Sequence, residues 1–284
     1  METWRFLPFK YDHPRENMAV DEALFRTLQR QSGAPVLRFY GWGRPALSLG
    51  YFQDAAREIN LERCRALGMD VVRRPTGGKA VLHGMDLTYA VVSHEAPPLF
   101  SSDLIGNYRA ICAVLTCGFA ELGIKVCMSE RYNNGADPDL ASICFAYPAP
   151  FELLCRGRKI CGSAQVRSRN CFLQHGSISL AFDPDQIDLF VTPVAGGDTA
   201  GRAYLRDNVT SVCEETGQRI APERLSRIMQ RAFETVWGIR FAESGLTPEE
   251  ELLKNTLRKK KYDVTTWNLD GQSQDYSSPP EPVR

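Results

Sequence analysis

The chain lacks an excess of charge of either sign. Its 34 lysines and arginines balance 34 aspartates and glutamates, so nothing global recruits a nucleic acid, an anionic membrane or a polyanionic substrate. It lacks a long apolar run: no stretch approaches the ~18 uninterrupted apolar residues of a membrane span, and METWRFLPFKYDHPRENMAVDE at the start has no apolar signal core. It lacks a CxxC pair, and its nine cysteines (64, 112, 117, 127, 144, 155, 161, 171 and 213) are an odd number without a disulfide rhythm. A zinc site is not expected, and a reducing, cytoplasmic location is. There is no internal repeat and no Walker loop, because RRPTGGK (73–79) has neither the GxxxxGK spacing nor the following hydroxyl.

What is present is enough for a sizeable core: 284 residues with 43% hydrophobic content. A short strand over Trp4 to Leu7 precedes a helix opened by Pro14, with Val20, Leu24 and Leu28 at spacing four. VLRFYGW and ALSLGYF are β-rich and separated only by Gly43, Arg44 and Pro45, which predicts a hairpin-like pair. Residues 102 to 122 carry an apolar stripe through Leu104, Tyr108, Ile111, Leu115 and Phe119, and Pro222 opens a second amphipathic helix that Gly238 stops. Between these helices, residues 129 to 142 read as a polar loop, and residues 192 to 208 as a glycine-containing connection. A last helix begins at the box Thr247 to Glu250 and ends in RKKKY.

The stretch from Ser142 to Gly176 organises the rest. It places the thiol of Cys144 before a proline-punctuated loop, then two strand-like runs, FELLC and KICGSAQVR, joined at the tight Arg156-Gly157 turn. Lys159 opens the second run as a potential ammonium partner for the thiol, and a third run contains Gln174, His175 and Gly176. A thiol, an ammonium and a glycine-lined surface are the parts that covalent acyl transfer needs. Cys155, Cys161 and Cys171 lie within strand runs and are expected to face the sheet interior. In RRPTGGK, Gly77 and Gly78 permit close backbone approach to a ligand while Arg73 and Arg74 add positive charge, and His83 closes the next strand within reach of a substrate. Gly77, Gly78 and the backbone from Gly162 through Ser163 to Ala164 are candidate donors to an acyl carbonyl.

NMAVDEAL, VLRFYGW, LSLGYFQ, RRPTGGKAVLH, LTYAV, the CF dipeptide, GRKICGSAQVR and LQHGSI occur in this order over residues 1 to 265. Together they resemble the LipM-type octanoyltransferases of the lipoate-protein ligase and biotin-protein ligase superfamily. RRPTGGK marks only the superfamily. Cys144 combined with GRKICGSAQ is the specific part, since LipB-type octanoyltransferases carry their cysteine beyond the HG strand, where DLFVTPVAGGD has none. One departure is AYPAPFE, where a serine and an aromatic usually follow the proline.

The resemblance implies an α/β (α+β) catalytic domain over residues 1–245 with a mixed sheet flanked by helices. A C-terminal helix over 246–268 and a disordered tail over 269–284 follow, without the large accessory domain of many lipoate ligases. It implies a monomer that moves octanoyl from octanoyl-acyl carrier protein to a lysine of the lipoyl domain of glycine-cleavage H protein. A thioester on Cys144 would be the intermediate, tuned by Lys159, with no metal or other cofactor. The substrate would be held by Arg73, Arg74, Gly77, Gly78, His83, Gly162, Ser163, Ala164, Gln165, His175 and Gly176. An ATP-dependent lipoate or octanoate ligase is one alternative. A second is an amidotransferase between carrier proteins, against which GSAQ in place of GIAQ or GISQ weighs. A third is a catalytically silent module that binds carrier protein.

Overall fold

The structure, a computed structural model, describes residues 2–96, 98–129, 150–185 and 197–271. Strand β1 (Thr3–Asp12) leads into helix α1 (Pro14–Leu28), where proline at the first helical position needs no N–H donor. Then come β2 (Val36–Trp42), β3 (Ala46–Leu49), the short helices α2 (Ala55–Glu58) and α3 (Leu61–Ala66), β4 (Asp70–Arg73), β5 (Val81–His83) and β6 (Asp86–His94). Helix α4 (Leu104–Glu121) starts at Asp103, whose carboxylate accepts from the N–H groups of Ile105 and Gly106 at 3.1 and 2.9 Å. Strands β7 (Cys127–Met128), β8 (Leu153–Cys155), β9 (Arg158–Ser168) and β10 (Cys171–Ser179) follow, then α5 (Gly197–Asn208), α6 (Val212–Thr216), α7 (Pro222–Trp237), β11 (Arg240–Glu243), α8 (Pro248–Leu257), a π-helical turn over Arg258–Tyr262, and α9 (Thr265–Asp270).

Eight strands form one mixed sheet in the order β11-β1-β2-β6-β10-β9-β8-β7, and β4-β3-β5 form a second, smaller one. Strand β1 runs parallel to both its neighbours, whereas the pairs from β2 to β7 are antiparallel. Alternation along its strands gives the large sheet two core faces, and a third cluster of Leu47, Leu49, Ala55 and Ile59 packs with the small sheet. Leu37, Phe39, Tyr89 and Val91 pack with α4 and α7 on one face, and Tyr40, Ala90, Val92 and Leu173 pack with α1 on the other. Helices α4 and α7 pack tightly at Gly118, where a Cβ would stand 2.4 Å from Met229 Sδ.

The mixed sheet flanked by helices is as expected, but three local expectations are corrected. Strands β2 and β3 are not a hairpin: β2 pairs with β6 in the large sheet and β3 pairs with β4 and β5 in the small one. Gly43 to Pro45 therefore carry the chain between sheets. Residues 197–208, expected as a connection, are helical, and α9 runs to Asp270, two residues into the stretch expected as tail. The box at Thr247 forms as read, with Thr247 Oγ1 and Glu250 each bonding the other's N–H. Glu250 also makes a two-pronged pair with Arg5 at 2.6 and 2.8 Å, which ties α8 to β1.

Candidate active site

The glycine turn between β4 and β5 is built around the side chain of Arg74. One terminal nitrogen of its guanidinium donates to the carbonyls of Gly77 and Lys79 at 2.8 and 2.7 Å, the other to Ser48 O at 3.0 Å, and Nε to Thr76 Oγ1 at 3.2 Å. Gly78 sits at φ +84°, a left-handed conformation that side chains resist, and its carbonyl lies where a Cβ on Gly50 would be, only 1.8 Å away. The outer side of Gly77 has no neighbour within 4 Å among the described residues. Arg73 turns the other way. Its guanidinium donates to the carbonyls of Gly50, Tyr51 and Gln53 and, in α9, to those of Trp267 and Leu269. In this structure, both arginines expected at the substrate direct donors into the fold.

Two aspartate–histidine pairs feed this hub. His175 Nδ1 lies 2.9 Å from Asp21, which also accepts from Arg38 and Tyr40, both at 2.8 Å. With Asp21 accepting, Nδ1 carries the proton and Nε2 accepts from the hydroxyl of Thr76 at 2.6 Å, which in turn accepts from Arg74. Burial pushes the His175 imidazole down against the opposing pull of Asp21, so the ring is neutral at pH 7. His83 repeats the pattern with Asp86 at 2.8 Å and Ser48 at 2.8 Å, its ring stacked 3.8 Å from Trp42. Burial pushes Asp86 up, but His83, the Gly84 N–H and the Ser177 hydroxyl outweigh it and hold the carboxyl below its ordinary value.

Across from the turn stands β9. Its pairing with β8 slips by one residue, so that Leu153 faces Cys161 and Leu154 faces Lys159. This bulge brings Lys159 onto the side of the strand shared by Gly162 and Ala164. A Cβ on Gly162 would lie 2.8 Å from Lys159 Cε and 3.0 Å from Nζ, and one on Gly78 would lie 3.9 Å from Ala164 Cβ. The glycine-alanine floor thus joins the lysine to the glycine turn. His175, paired with Ala164, and Ser177, paired with Gly162, flank it.

Ser163, Gln165 and Gly176 belong to the opposite face. Tyr89 lies over Gly176, where a Cβ would be 2.5 Å from its ring, and its hydroxyl meets Ser163 Oγ at 2.7 Å. Gln174 donates to that hydroxyl and accepts from Gln165. Of the expected residues, the structure gathers Lys159, Gly162, Ala164, His175, Gly77 and Gly78 around one floor, with His83 behind the turn.

Lys159 is 2% exposed, and its amine lies 2.5 Å from a carboxylate oxygen of buried Glu152. Glu152 was not singled out in the sequence. It follows Phe151, a bulky residue at φ +69°, where left-handed backbone is strained. The strain is held by three contacts: the Phe151 N–H donates to Ser129 O at 2.8 Å, its carbonyl accepts from Cys112 Sγ at 3.4 Å, and its ring stacks on Tyr108. Ser129 N–H donates to Glu152 O in return, so Ser129 and Phe151, on either side of residues 130–149, meet beside this carboxylate. Cys144 lies in that segment, outside the described residues.

Cys155, Cys161 and Cys171 are buried as expected. Burial pushes Cys155 and Cys171 up to about 11, Cys112 up to about 12 and Cys161 higher, so all four remain thiols near neutrality. A cavity of about 300 Å³ opens beyond His83, walled by Pro45, Met69, Leu82, Met85, Phe182 and Leu205, with Asp86 and Ser177 at its base. No group of three His, Cys, Asp or Glu among the described residues is placed to hold a metal ion. No helix among them is long and apolar enough to cross a membrane.

The model of the lipoyl protein ligase A/B catalytic domain matches residues 13–234. Octanoyltransferase LipM of Carboxydothermus hydrogenoformans is 37% identical over 268 residues, 94% of this chain and 98% of its own. That of Bacillus subtilis (strain 168) is 35% identical over 272 residues, 94% and 98% respectively. Among solved structures, lipoate-protein ligase A bound with ATP superposes with a TM-score of 0.79 at 25% identity, covering 95% of this chain and 99% of that one. The archaeal bipartite lipoate protein ligase of Thermoplasma acidophilum reaches 0.82 at 23% identity, covering 98% and 100%, a likeness of fold. The glycine turn, the lysine on the GSAQ strand and these relatives agree: the chain belongs to the lipoyl protein ligase A/B catalytic-domain family, among its LipM-type octanoyltransferases.

Proposed function

We propose that the protein moves an octanoyl group from the thioester of an acyl carrier protein to a lysine on the lipoyl domain of glycine-cleavage H protein, within lipoate biosynthesis in the cytoplasm. The observation that carries this reading is the buried amine of Lys159 at the edge of a side-chain-free floor that leads to the glycine turn. Cys144, eight residues before Glu152 in the chain, supplies the nucleophile. Its thiolate bonds to the acyl carbon, the carrier sulfur–carbon bond breaks, and the departing sulfur takes a proton from Lys159. The acceptor amine then attacks the enzyme thioester, its proton passes to Lys159, and the Cys144 thiolate leaves. Each half-reaction leaves the other's starting state. Exchange between thioesters is nearly isoenergetic and amide formation is downhill, so neither ATP nor metal is required.

The raised pKa values of Cys112, Cys155, Cys161 and Cys171 weigh against those four thiols as the nucleophile and so support giving this role to Cys144. The backbone N–H groups of Gly77, Gly78 and Gly162 to Ala164 are the donors this reading assigns to the acyl carbonyl. In the test, mixing the protein with octanoyl carrier protein without ATP adds one octanoyl mass, which neutral hydroxylamine removes and Cys144→Ala abolishes. Labelling retained in Cys144→Ala would overturn the assignment.

The likeness to lipoate-protein ligase A bound with ATP favours a second reading, ATP-dependent ligation of the free acid. The ionised Asp86 at the base of the adjoining cavity is an unfavourable neighbour for a polyphosphate. Pyrophosphate release with octanoate and ATP, absent without octanoate, would establish that reading instead.

A further inference from the structure

Lys159 is an ammonium donor taken almost wholly out of water, and burial by itself favours the neutral amine. A neutral amine could neither stabilise a thiolate nor give a proton to a leaving sulfur. Glu152 is the group whose placement answers this. It is itself 6% exposed, and its oxygen is 2.5 Å from Nζ. It also lies 3.4 Å from the Cβ position of Gly162, so it reaches the same floor. Three further features fix that placement: the left-handed turn at Phe151, the reciprocal backbone bonds with Ser129, and the bulge that brings Lys159 round. A strained aromatic residue held by packing immediately before a buried carboxylate is the pattern of a side chain aimed at a task.

We propose that Glu152 is the positioning residue of the reaction: it holds Lys159 as an ammonium in the resting protein and keeps the amine against Gly162. This rests on reading Lys159 as the proton carrier. The lysine therefore starts as an acid. Once its proton has gone to the departing carrier sulfur, the carboxylate faces a neutral amine, and that arrangement draws a proton back from the attacking acceptor amine. Glu152 keeps its negative charge throughout and forms no bond to substrate. One carboxylate thus sets the order of the two roles, acid first and base second.

The test reads the lysine directly. In the full chain labelled with 13C at lysine Cε, the Lys159 signal is assigned by its loss in Lys159→Met and followed against pH in wild type, Glu152→Gln and Glu152→Asp. The expected result is a titration midpoint lower by about one pH unit or more in Glu152→Gln, with Glu152→Asp lying between. The pH profile of octanoyl transfer should shift in the same order. Coincident midpoints in wild type and either folded variant would overturn the proposal, and Glu152→Asp keeps it testable if Glu152→Gln fails to fold. If wild type transfers no octanoyl group but the midpoints still separate, the pairing stands and the transfer reading fails.

Discussion

Among the described residues two lysine–glutamate pairs are buried, and they differ in what surrounds them. Lys261 donates to both oxygens of Glu22 at 2.9 and 2.8 Å, and Glu22 also receives Arg26 at 2.6 Å and the hydroxyl of Tyr262. The ammonium caps the ring of Trp267 at 3.8 Å. Side chains from α1, the π-helical turn and α9 pack around it. Lys159 meets Glu152 beside Gly162, a position with no side chain, and across a floor that runs to the open Gly77. The same chemical pair fastens the C-terminal segment to α1 in one place and stands beside a strand floor of glycine and alanine in the other. Burial of an ion pair is weak evidence for stability. What separates the two is the neighbouring residues: aromatic and charged side chains around Lys261, and a glycine against Lys159.

Exchanging one lysine at a time tests that difference most strongly. Lys159→Met should lower octanoyl transfer by about 10²–10⁴, the range for losing a general acid and base, measured in single turnover. Full transfer by this variant would remove the residue from the chemistry. Lys159→Arg should retain thiol reactivity toward a small alkylating agent but transfer poorly, because guanidinium does not give up its proton near neutrality. Lys261→Met should do the reverse, costing about 3 kcal/mol in urea unfolding because Glu22 stays buried, with transfer per folded molecule unchanged.

Filling the floor is a finer test. Gly162→Ala places a methyl 2.8 Å from Lys159 Cε and should cost about 10² in transfer by displacing the amine by roughly an ångström. A crystal structure of the variant with Nζ unmoved and normal activity would show that the floor does not set the amine. Gly78→Val imposes a branched side chain at φ +84° beside Arg74. The unfolding transition should stay cooperative but lose about 1–3 kcal/mol, and transfer should be blocked. Ordinary activity would reduce the turn to a connection.

The smallest effect is in the pH dependence of stability. His175 has its pKa lowered in the folded protein, chiefly by burial. Its contribution is therefore fully present above the unfolded value of about 6.5 and is lost as pH falls from there toward the folded value, by up to about 1.4 kcal/mol per pH unit. Glu22, also lowered in net against the opposing effect of burial, contributes above about pH 4.3 and is lost below it. Urea midpoints from pH 7.5 to 5 should fall in wild type and flatten in His175→Asn. Parallel curves would assign the slope to other groups.

Local features were legible in the sequence where local forces decide them. The stripe of α4, the proline start of α7, the box at Thr247 and the turn at Arg156-Gly157 follow from spacing and backbone preference. The departure of β3 from β2 did not show, because Gly43 to Pro45 suit a hairpin equally well, and the partners that part the strands, β6 for one and β4 for the other, are distant in the chain. Helix α5 was hidden by its glycines. At the site, the glycines and Lys159 could be read from type and pattern. Glu152 could not, being one acid among 34 whose meaning depends on a one-residue bulge and a left-handed phenylalanine. Likewise Arg73 and Arg74 read as charges for a ligand, and only the fold shows how many carbonyls they hold.

The hold of Arg73 on α9 bears on the order of events as the chain is made. Its guanidinium reaches the carbonyls of Trp267 and Leu269, its N–H donates to Asn268 and its carbonyl accepts from the Trp267 indole, partners 194 to 196 residues later. During vectorial synthesis the base of the glycine turn leaves the ribosome long before any of them exists. A nascent chain stalled short of residue 271 would have its sheets but a glycine turn lacking these bonds, so α9, rather than the last strand, is the element that completes the hold on Arg73.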